Sequence, residues 1–534
     1  MSQAYDNLIK LATKEKFKSS PDFLRFKKQV SGKLGIQPPT NADLREAYET
    51  MLNNKKIKRN LNLESMLFSK KIRTASGVAV VAVLTKPYPC PGKCLYCPDE
   101  TGMPKSYLSN EPAVMRAIAS KFNPRSQVQK RLRALWLNGH SIDKIELIVM
   151  GGTFSYFPKK YQTWFVKECF RACNEYKKCH PEFDSGSQRF RIKSGMTILE
   201  KEQKKNEKAK VRIVGLTLET RPDYIDEKEV LNFRRLGATR VELGVQSIFD
   251  SVLKKNHRGH NVKKTIEATR LLKEAGFKIN YHLMPGLLGS TITKDKEMFK
   301  QIFSDPDFQP DMIKIYPTIV NKKSDLFKFW QQGKYIPLNN KSFEKLILEI
   351  KNEIIPPYVR IQRLIRDVPE SEIVAGPNIS NLRQLLKTNC QCIRCREVKT
   401  NFDPKEKIIL DRIDYVASGG KEIFLQFVSS DKQKLLALLR LRIPGEKNHF
   451  IPTLQNSALI REVHTYGQLV KIDKKDKKLT QHQGLGKKLI KEAEKIAKKE
   501  FNLDKISVIS GVGVRGYYRK LGYRLQKTYM LKYL

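Results

Sequence analysis

Between residues 78 and 316 the chain repeats one pattern six times: a short, nearly all-apolar run, then a stretch of helical periodicity. The runs are 78–84, 145–150, 211–218, 240–245, 278–283 and 312–316, and helical patterns such as 125–138, 161–176 and 262–275 lie between them. A strand apolar on both faces must be covered on both, which is the situation of parallel strands joined by crossover helices. Six such units in series predict an α/β fold with a partial (β/α)6 barrel, whose functional groups belong on the loops that follow the strands.

The repeat cannot account for all 534 residues, which exceed one ordinary core. Residues 1–75 hold sixteen Lys and Arg against seven Asp and Glu. Apolar residues there recur at helical spacing, and Pro21, Pro38 and Pro39 break the segment into short helices. This reads as a basic helical arm whose cations, Lys55, Lys56, Lys58 and Arg59 among them, meet phosphate, the bland alternative being a solvated helix face. Residues 181–210, polar and aperiodic, read as a surface insertion. After about residue 400, adjacent strands at 423–428 and 435–442 and a helix behind a Gly-rich turn predict a second, mixed α/β domain. The expected domains are thus 1–75, 76–375, a linker at 376–400, and 401–534.

A formal charge of +46 points to a polyanionic partner, unless the whole source proteome is Lys-rich. No run approaches a membrane span or a signal core, so the chain is read as soluble and cytoplasmic, with no membrane partner. Nine cysteines fall into three triplets, Cys90/Cys94/Cys97, Cys169/Cys173/Cys179 and Cys390/Cys392/Cys395. Such clustering suits metal in a reducing compartment better than disulfides. Cys169 and Cys173, at i and i+4 of a helix, read as core thiols.

The first triplet follows the first strand with C-x3-C-x2-C spacing. Three thiolates on a tight loop can hold three irons of a [4Fe–4S] cube and leave the fourth open, whereas zinc lacks a nearby fourth ligand. This motif, with an aromatic before its last cysteine, resembles the radical S-adenosylmethionine (SAM) enzymes. The resemblance implies a cluster on Cys90, Cys94 and Cys97 and SAM chelated at its open iron. It also places Gly151 and Gly152, after strand two, on the methionine amino group. Glu219 and Gln246, on the same rim, are candidates for cofactor contact or for structural hydrogen bonding.

A second site opens a helix. Gln481-His482-Gln483-Gly484-Leu485-Gly486-Lys487 presents free backbone amides and a positive dipole end, which suits a pyrophosphate. With a strand at 459–469 before it and a strand at 505–509 and Tyr517-Tyr518 after it, the order resembles the GNAT acetyltransferases. Across nearly the whole chain, Cys94-Leu-Tyr-Cys97, Met150-Gly-Gly-Thr-Phe154, Glu219-Thr-Arg-Pro-Asp223, His282-Leu-Met-Pro-Gly286, Cys392-Ile-Arg-Cys395 and Tyr517-Tyr-Arg-Lys-Leu-Gly522 resemble the Elongator protein 3 family. This resemblance implies acetyl-CoA contacts at Glu462, Val463, His464, Thr465, Gln481, Gln483, Gly484, Leu485, Gly486, Lys487 and Tyr518, with Tyr517 and Tyr518 near the thioester. It adds Lys144, although that residue precedes strand two and so starts at the end opposite the barrel loops. The three-residue gap between Cys90 and Cys94 is much shorter than in complex-bound members, which counts against a need for other Elongator subunits. The oligomeric state stays open, a homodimer being one option.

Cys390, Cys392 and Cys395 suit zinc with a fourth ligand from elsewhere, and the family likewise implies a structural zinc, a second iron–sulfur cluster being the alternative. For function, the resemblance implies that a 5′-deoxyadenosyl radical removes a hydrogen from the acetyl-CoA methyl group. The resulting carbon adds to C5 of the wobble uridine of a tRNA, and thioester hydrolysis leaves 5-carboxymethyluridine. A wobble base lies in a single-stranded loop and can be splayed into a pocket. The competing readings are a protein lysine acetyltransferase with a structural cluster and a non-catalytic RNA-binding scaffold.

Overall fold

The computed structural model describes residues 2–68, 77–176, 196–379, 381–398, 406–445, 449–467 and 484–534. Seven parallel strands form one sheet in sequence order: β1 Ala79–Leu84, β2 Lys144–Met150, β3 Arg212–Thr220, β4 Arg240–Gln246, β5 Lys278–Leu283, β6 Met312–Ile315 and β7 Arg360–Arg363. It is an open half-barrel covered outside by helices such as Pro124–Leu137, Lys159–Asn174 and Val262–Glu274. The first six strands are those the apolar runs predict. The seventh, Arg-Ile-Gln-Arg, is short and half-exposed at the sheet edge, and so carries no apolar run.

The reading of 181–210 as a surface insertion needs correction at its end, since Ile198–Asn206 is a helix with a Thr197/Glu200 capping box. Its buried face is polar apart from Leu199, consisting otherwise of Glu202, Gln203 and Asn206, with Asn206 Nδ2 donating to Asn174 Oδ1 at 2.8 Å. Apolar periodicity therefore could not reveal it.

The amino-terminal segment forms four helices, Ser2–Lys14, Ser20–Lys33, Asn41–Asn53 and Leu61–Leu67. They close over their own core of Leu8, Ile9, Phe23, Leu44, Tyr48, Leu63 and Leu67. Lys55, Lys56 and Lys58 project from it into solvent, while Arg59 is held by Glu64 at 2.9 Å.

The second sheet runs β13–β14–β12–β11–β10–β9–β8, from β8 Ile408–Ala417, β9 Gly420–Ser429, β10 Leu435–Ile443, β11 Ser457–Thr465, β12 Lys505–Val508, β13 Arg524–Gln526 and β14 Tyr529–Tyr533. All its pairs are antiparallel except β11 with β12. One face packs on the helix Leu485–Lys499, and residues such as Phe424, Leu438, Leu459 and Val512 join the core of the half-barrel.

The joint is made at the amino ends of the barrel strands. Asp311, just before β6, accepts from Arg461 of β11 at 2.5 Å, and Arg461 also reaches Glu422 of β9 at 2.8 Å. Lys273 Nζ lies between these carboxylates, 3.8 Å from Asp311 and 3.9 Å from Glu422, and all four side chains are sealed from solvent. Removing one partner of a buried pair leaves an uncompensated charge, so Arg461→Met should lower stability by about 3–5 kcal/mol in chemical denaturation. Burial lowers the Lys273 ammonium from 10.5 to about 8 against the pull of Asp311 and Glu422. Between those values the unfolded chain holds a proton the folded one lacks, so this group makes stability rise with pH. Lys273→Met should flatten that part of the stability profile.

Candidate active site

The chain leaves β1 at Leu84 and reaches Cys90, Cys94 and Cys97 above the carboxyl ends of the strands. Beneath this loop lie two buried guanidinium groups. Arg258 Nη1 donates to Cys94 Sγ at 3.5 Å and its Nη2 to the Gly244 carbonyl at 2.5 Å. Arg221 is held by both oxygens of Asp223, at 2.9 and 2.8 Å, and packs under Gly92, where a Cβ would sit 2.2 Å from Nη1. Burial raises the Cys94 thiol, but Arg258 and Arg221 bring it below its ordinary value. Cys97, opposed by burial and by Cys94, is pushed up to about 12. Arg221 Nη1 and both ring nitrogens of His260 are buried with no hydrogen-bond partner, the nearest carboxylate to His260 Nδ1 being Asp223 at 4.0 Å. Orphaned donors beside a thiol set fit an anionic cluster that they would face.

Gly151, at φ +131°, follows β2 where a Cβ would fall 1.9 Å from Thr85 Oγ1, so no larger residue fits. The amides of Gly151 and Gly152 each approach Glu219 Oε2 at 3.4 Å, and Tyr107 donates to the same oxygen at 2.7 Å. Gln246 ends β4 with its backbone strained at φ +69° and its Oε1 buried and unpartnered, and it lines the cavity at this rim.

On the other sheet, β11 pairs with β12 only through Ser457–Ile460. The backbone of Glu462, Val463, His464 and Thr465 therefore has an edge free of β12. Facing it, the helix Leu485–Lys499 begins after Gly484 at φ +70°, with its first amides unbonded within the helix. A Cβ on Gly486 would make ordinary contacts, 3.5 Å from Thr465 and 3.6 Å from the Tyr517 hydroxyl, which places this glycine where β11, the helix start and Tyr517 meet. Glu462, held by Lys278 at 3.0 Å and Arg440 at 3.0 Å, drops to about 2 despite its burial, and burial lowers His464 to about 4. Tyr518 is buried against Tyr517 and Tyr523. Gln481 and Gln483 lie outside the described residues.

Both sets open into one cavity of about 1320 Å³. Its upper wall includes Tyr96, Met150, Glu219, Gln246 and Tyr316, and its lower wall Lys144, Glu462–Thr465, Gly484, Gly486, Lys487, Tyr517 and Tyr518. Lys144 is in place because the second domain docks under the amino ends of the strands, the end from which β2 starts. Leu485, Gly151, Gly152 and the three cluster cysteines do not line this space, which meets the cysteine loop at Tyr96 and Pro98. Fourteen lysines and arginines and six carboxylates line it, so it favours anionic occupants. Sequence reasoning missed Arg258, Glu242 and Lys314. The signal was present for the last two: charged residues inside otherwise apolar strand runs, which in a buried strand can only point into the barrel.

Residues 88–302 match the family model of the radical SAM superfamily, and residues 310–391 match the radical SAM C-terminal domain. Fold and cysteine loop together thus define a radical SAM protein. The chain is 45% identical over 523 residues to the tRNA uridine(34) acetyltransferase of Methanocaldococcus jannaschii, covering 94% of this chain and 92% of that protein. It is 38% identical over 490 residues to Elongator complex protein 3 of Homo sapiens, covering 88% and 86%. A solved structure of the archaeal Methanocaldococcus infernus Elp3, deleted at its amino terminus, matches with TM-score 0.71 and 42% identity over 86% of this chain and all of that one. The chain belongs to the Elongator protein 3 family.

Between the two sheets, the thiols of Cys390, Cys392 and Cys395 lie within 4.8 Å of one another, and no fourth ligand joins them among the described residues. Cys390 and Cys392 belong to the barrel core, and hydrogen bonds shared with Cys390 and Cys395 bring Cys392 down to about 2. Cys90, Cys94 and Cys97 do not form such a close group. Cys169 and Cys173 are buried in the barrel core, and Cys179 lies outside the described residues. Cys392→Ser should therefore release a bound metal ion and lower the thermal midpoint, while Cys169→Ser leaves metal content unchanged by elemental analysis. Among the described residues no helix is long and apolar enough to cross a membrane.

Proposed function

We propose that this protein builds 5-carboxymethyluridine at the wobble position of a tRNA from acetyl-CoA. The observation that carries the reading is the single cavity running from the cysteine loop to the free edge of β11, which allows one substrate to meet both ends. The names of the relatives agree with it.

In this reading Cys90, Cys94 and Cys97 hold a [4Fe–4S] cluster, and Gly151, Gly152, Glu219 and Gln246 receive SAM. When bound, these groups supply a 5′-deoxyadenosyl radical able to remove a hydrogen from the acetyl methyl group. The unpaired edge of Glu462–Thr465 bonds the amides of the pantetheine arm. The helix start at Leu485, Gly486 and Lys487 receives the pyrophosphate, helped by Lys144 from the barrel and by Gln481, Gln483 and Gly484 before the helix. Tyr517 and Tyr518 position the thioester end. Cys390, Cys392 and Cys395 hold a zinc ion that stiffens the 376–400 linker between the domains at 76–375 and 401–534.

The cationic lining and the basic 1–75 domain hold the phosphates flanking a splayed wobble uridine. Because Arg59 is already committed to Glu64, the exposed cations of the 55–59 run left for phosphate are Lys55, Lys56 and Lys58. Neutralising these three should weaken tRNA binding and reduce the salt slope by about 0.7–0.9 per lost phosphate contact. An unchanged slope would clear this segment of phosphate contact.

The reaction itself is tested with methyl-deuterated acetyl-CoA, SAM, reductant and tRNA. Deuterium should appear in 5′-deoxyadenosine only when tRNA is present, and Tyr518→Phe should impair this transfer while leaving iron content unchanged. Lysine acetylation attacks the thioester carbon and breaks no methyl C–H bond. Deoxyadenosine free of deuterium together with efficient peptide acetylation would favour the competing acetyltransferase.

A further inference from the structure

Midway along the barrel interior lies a polar group that neither end of the cavity uses. Glu242 of β4 is fully buried. It accepts from His282 Nε2 at 3.0 Å, from Asn280 Nδ2 at 3.2 Å and from the Lys314 ammonium. Burial alone would raise this carboxyl, but Lys314 and His282 hold it well below the carboxylate range. His282 of β5 stands opposite Lys314 of β6 in the strand register. Its Nε2 is committed to Glu242, which leaves Nδ1 as the acceptor nitrogen. Nδ1 lies 3.7 Å from Glu219, too far for a hydrogen bond, and the residue lines the cavity.

The level of this group follows from the strands. Lys278, which holds Glu462 at the CoA wall, precedes His282 by four residues, a rise of about 13 Å at roughly 3.3 Å per residue. Gln246, at the upper rim, pairs with Leu283 across β4 and β5, one residue beyond His282. An acetyl thioester whose pantetheine arm lies on β11 and whose methyl carbon reaches the upper rim must carry its carbonyl between them, at the height of His282.

We infer that His282, oriented by Glu242, is the base that activates the water which hydrolyses the thioester once the acetyl methyl carbon has been joined to the uridine. The inference rests on the function proposed above. The water oxygen bonds to the carbonyl carbon and the carbon–sulfur bond breaks. One water proton passes through Nδ1 to the departing CoA sulfur, and the other leaves when the product carboxyl ionises. Lys314 keeps Glu242 ionised, so that it holds the ring and stabilises the imidazolium formed in transit.

The test uses the full chain with its cluster reconstituted, in His282→Gln, which keeps a donor to Glu242 and most of the side-chain volume. With deuterated acetyl-CoA, SAM, reductant and tRNA, this variant should still transfer deuterium to 5′-deoxyadenosine. Release of 5-carboxymethyluridine should fall by about 10²–10⁴-fold. The tRNA should instead accumulate as a CoA thioester, visible as a mass increment and cleaved by hydroxylamine. In His282→Ala, added imidazole should discharge the same adduct, which a structural role for the histidine would not produce. Wild-type release of 5-carboxymethyluridine with no CoA-bound tRNA in both variants overturns the assignment. Absence of deuterium transfer in the wild-type protein overturns the proposed function beneath it.

Discussion

Everything in the active-site geometry depends on Arg461 lying between Asp311 and Glu422. Each of these charges would cost several kcal/mol to bury alone, and together with Lys273, Arg440 and Arg442 they are tolerable only in the arrangement that pairs them. An apolar interface of equal area would hold the two sheets as strongly but could slide. An ion cluster sealed from water, with Arg461 also donating to the Phe277 carbonyl at 2.5 Å, has one register. Since Arg461 and Glu462 are adjacent on β11, the residue that fixes the domains is next to the one that faces the cavity.

The position of this joint decides what the half-barrel can do. Barrel proteins place their chemistry above the carboxyl ends of the strands, and the cysteine loop obeys that rule. Here the amino ends are occupied as well, by a sheet with its own open edge, and the interior between them is a passage. Glycines mark where the surfaces meet: a Cβ on Gly511 would lie 2.0 Å from the Val214 carbonyl oxygen, and one on Gly513 2.7 Å from the Arg212 side chain. The loop before the helix Arg515–Arg519 is thereby pressed against the start of β3, and Arg519 reaches Glu207 of the barrel at 2.7 Å. Tyr517 and Tyr518 follow directly from that contact.

Much of this was legible in the sequence, for physical reasons that also mark where legibility ends. Six strands were visible because strands covered on both faces must be apolar, and the cysteine loop because three thiolates at that spacing have few other uses. β7 was invisible because an edge strand of four residues need not be apolar, and the helix Ile198–Asn206 because its buried face bonds through carboxylates and amides. Lys144 shows a deeper limit. Its place in the chain put it at the wrong end of the barrel for the loops, and only the docking of the second sheet, set by ion pairs 150 residues apart, puts it on the cavity. Arg258 was hidden for the same reason, since nothing local ties it to Cys94.

The passage is also unlike on its two sides. β1 turns Val80 and Ala82 into it and the upper half of β2 turns in Ile148 and Met150, whereas β4, β5 and β6 turn in Glu242, His282 and Lys314, and Lys144 and Glu146 start β2 at the lower end. A carbon-centred radical needs surroundings without reactive polar groups, while hydrolysis of a thioester needs an ordered water and a base. A uniform lining would serve one requirement at the expense of the other. On the function proposed above, an apolar wall and a polar wall facing each other across one cavity let the methyl end and the carbonyl of a single acetyl group meet different environments. On the polar wall Glu242 binds both Lys314 and His282 Nε2, which fixes the ring and leaves its Nδ1 facing the cavity.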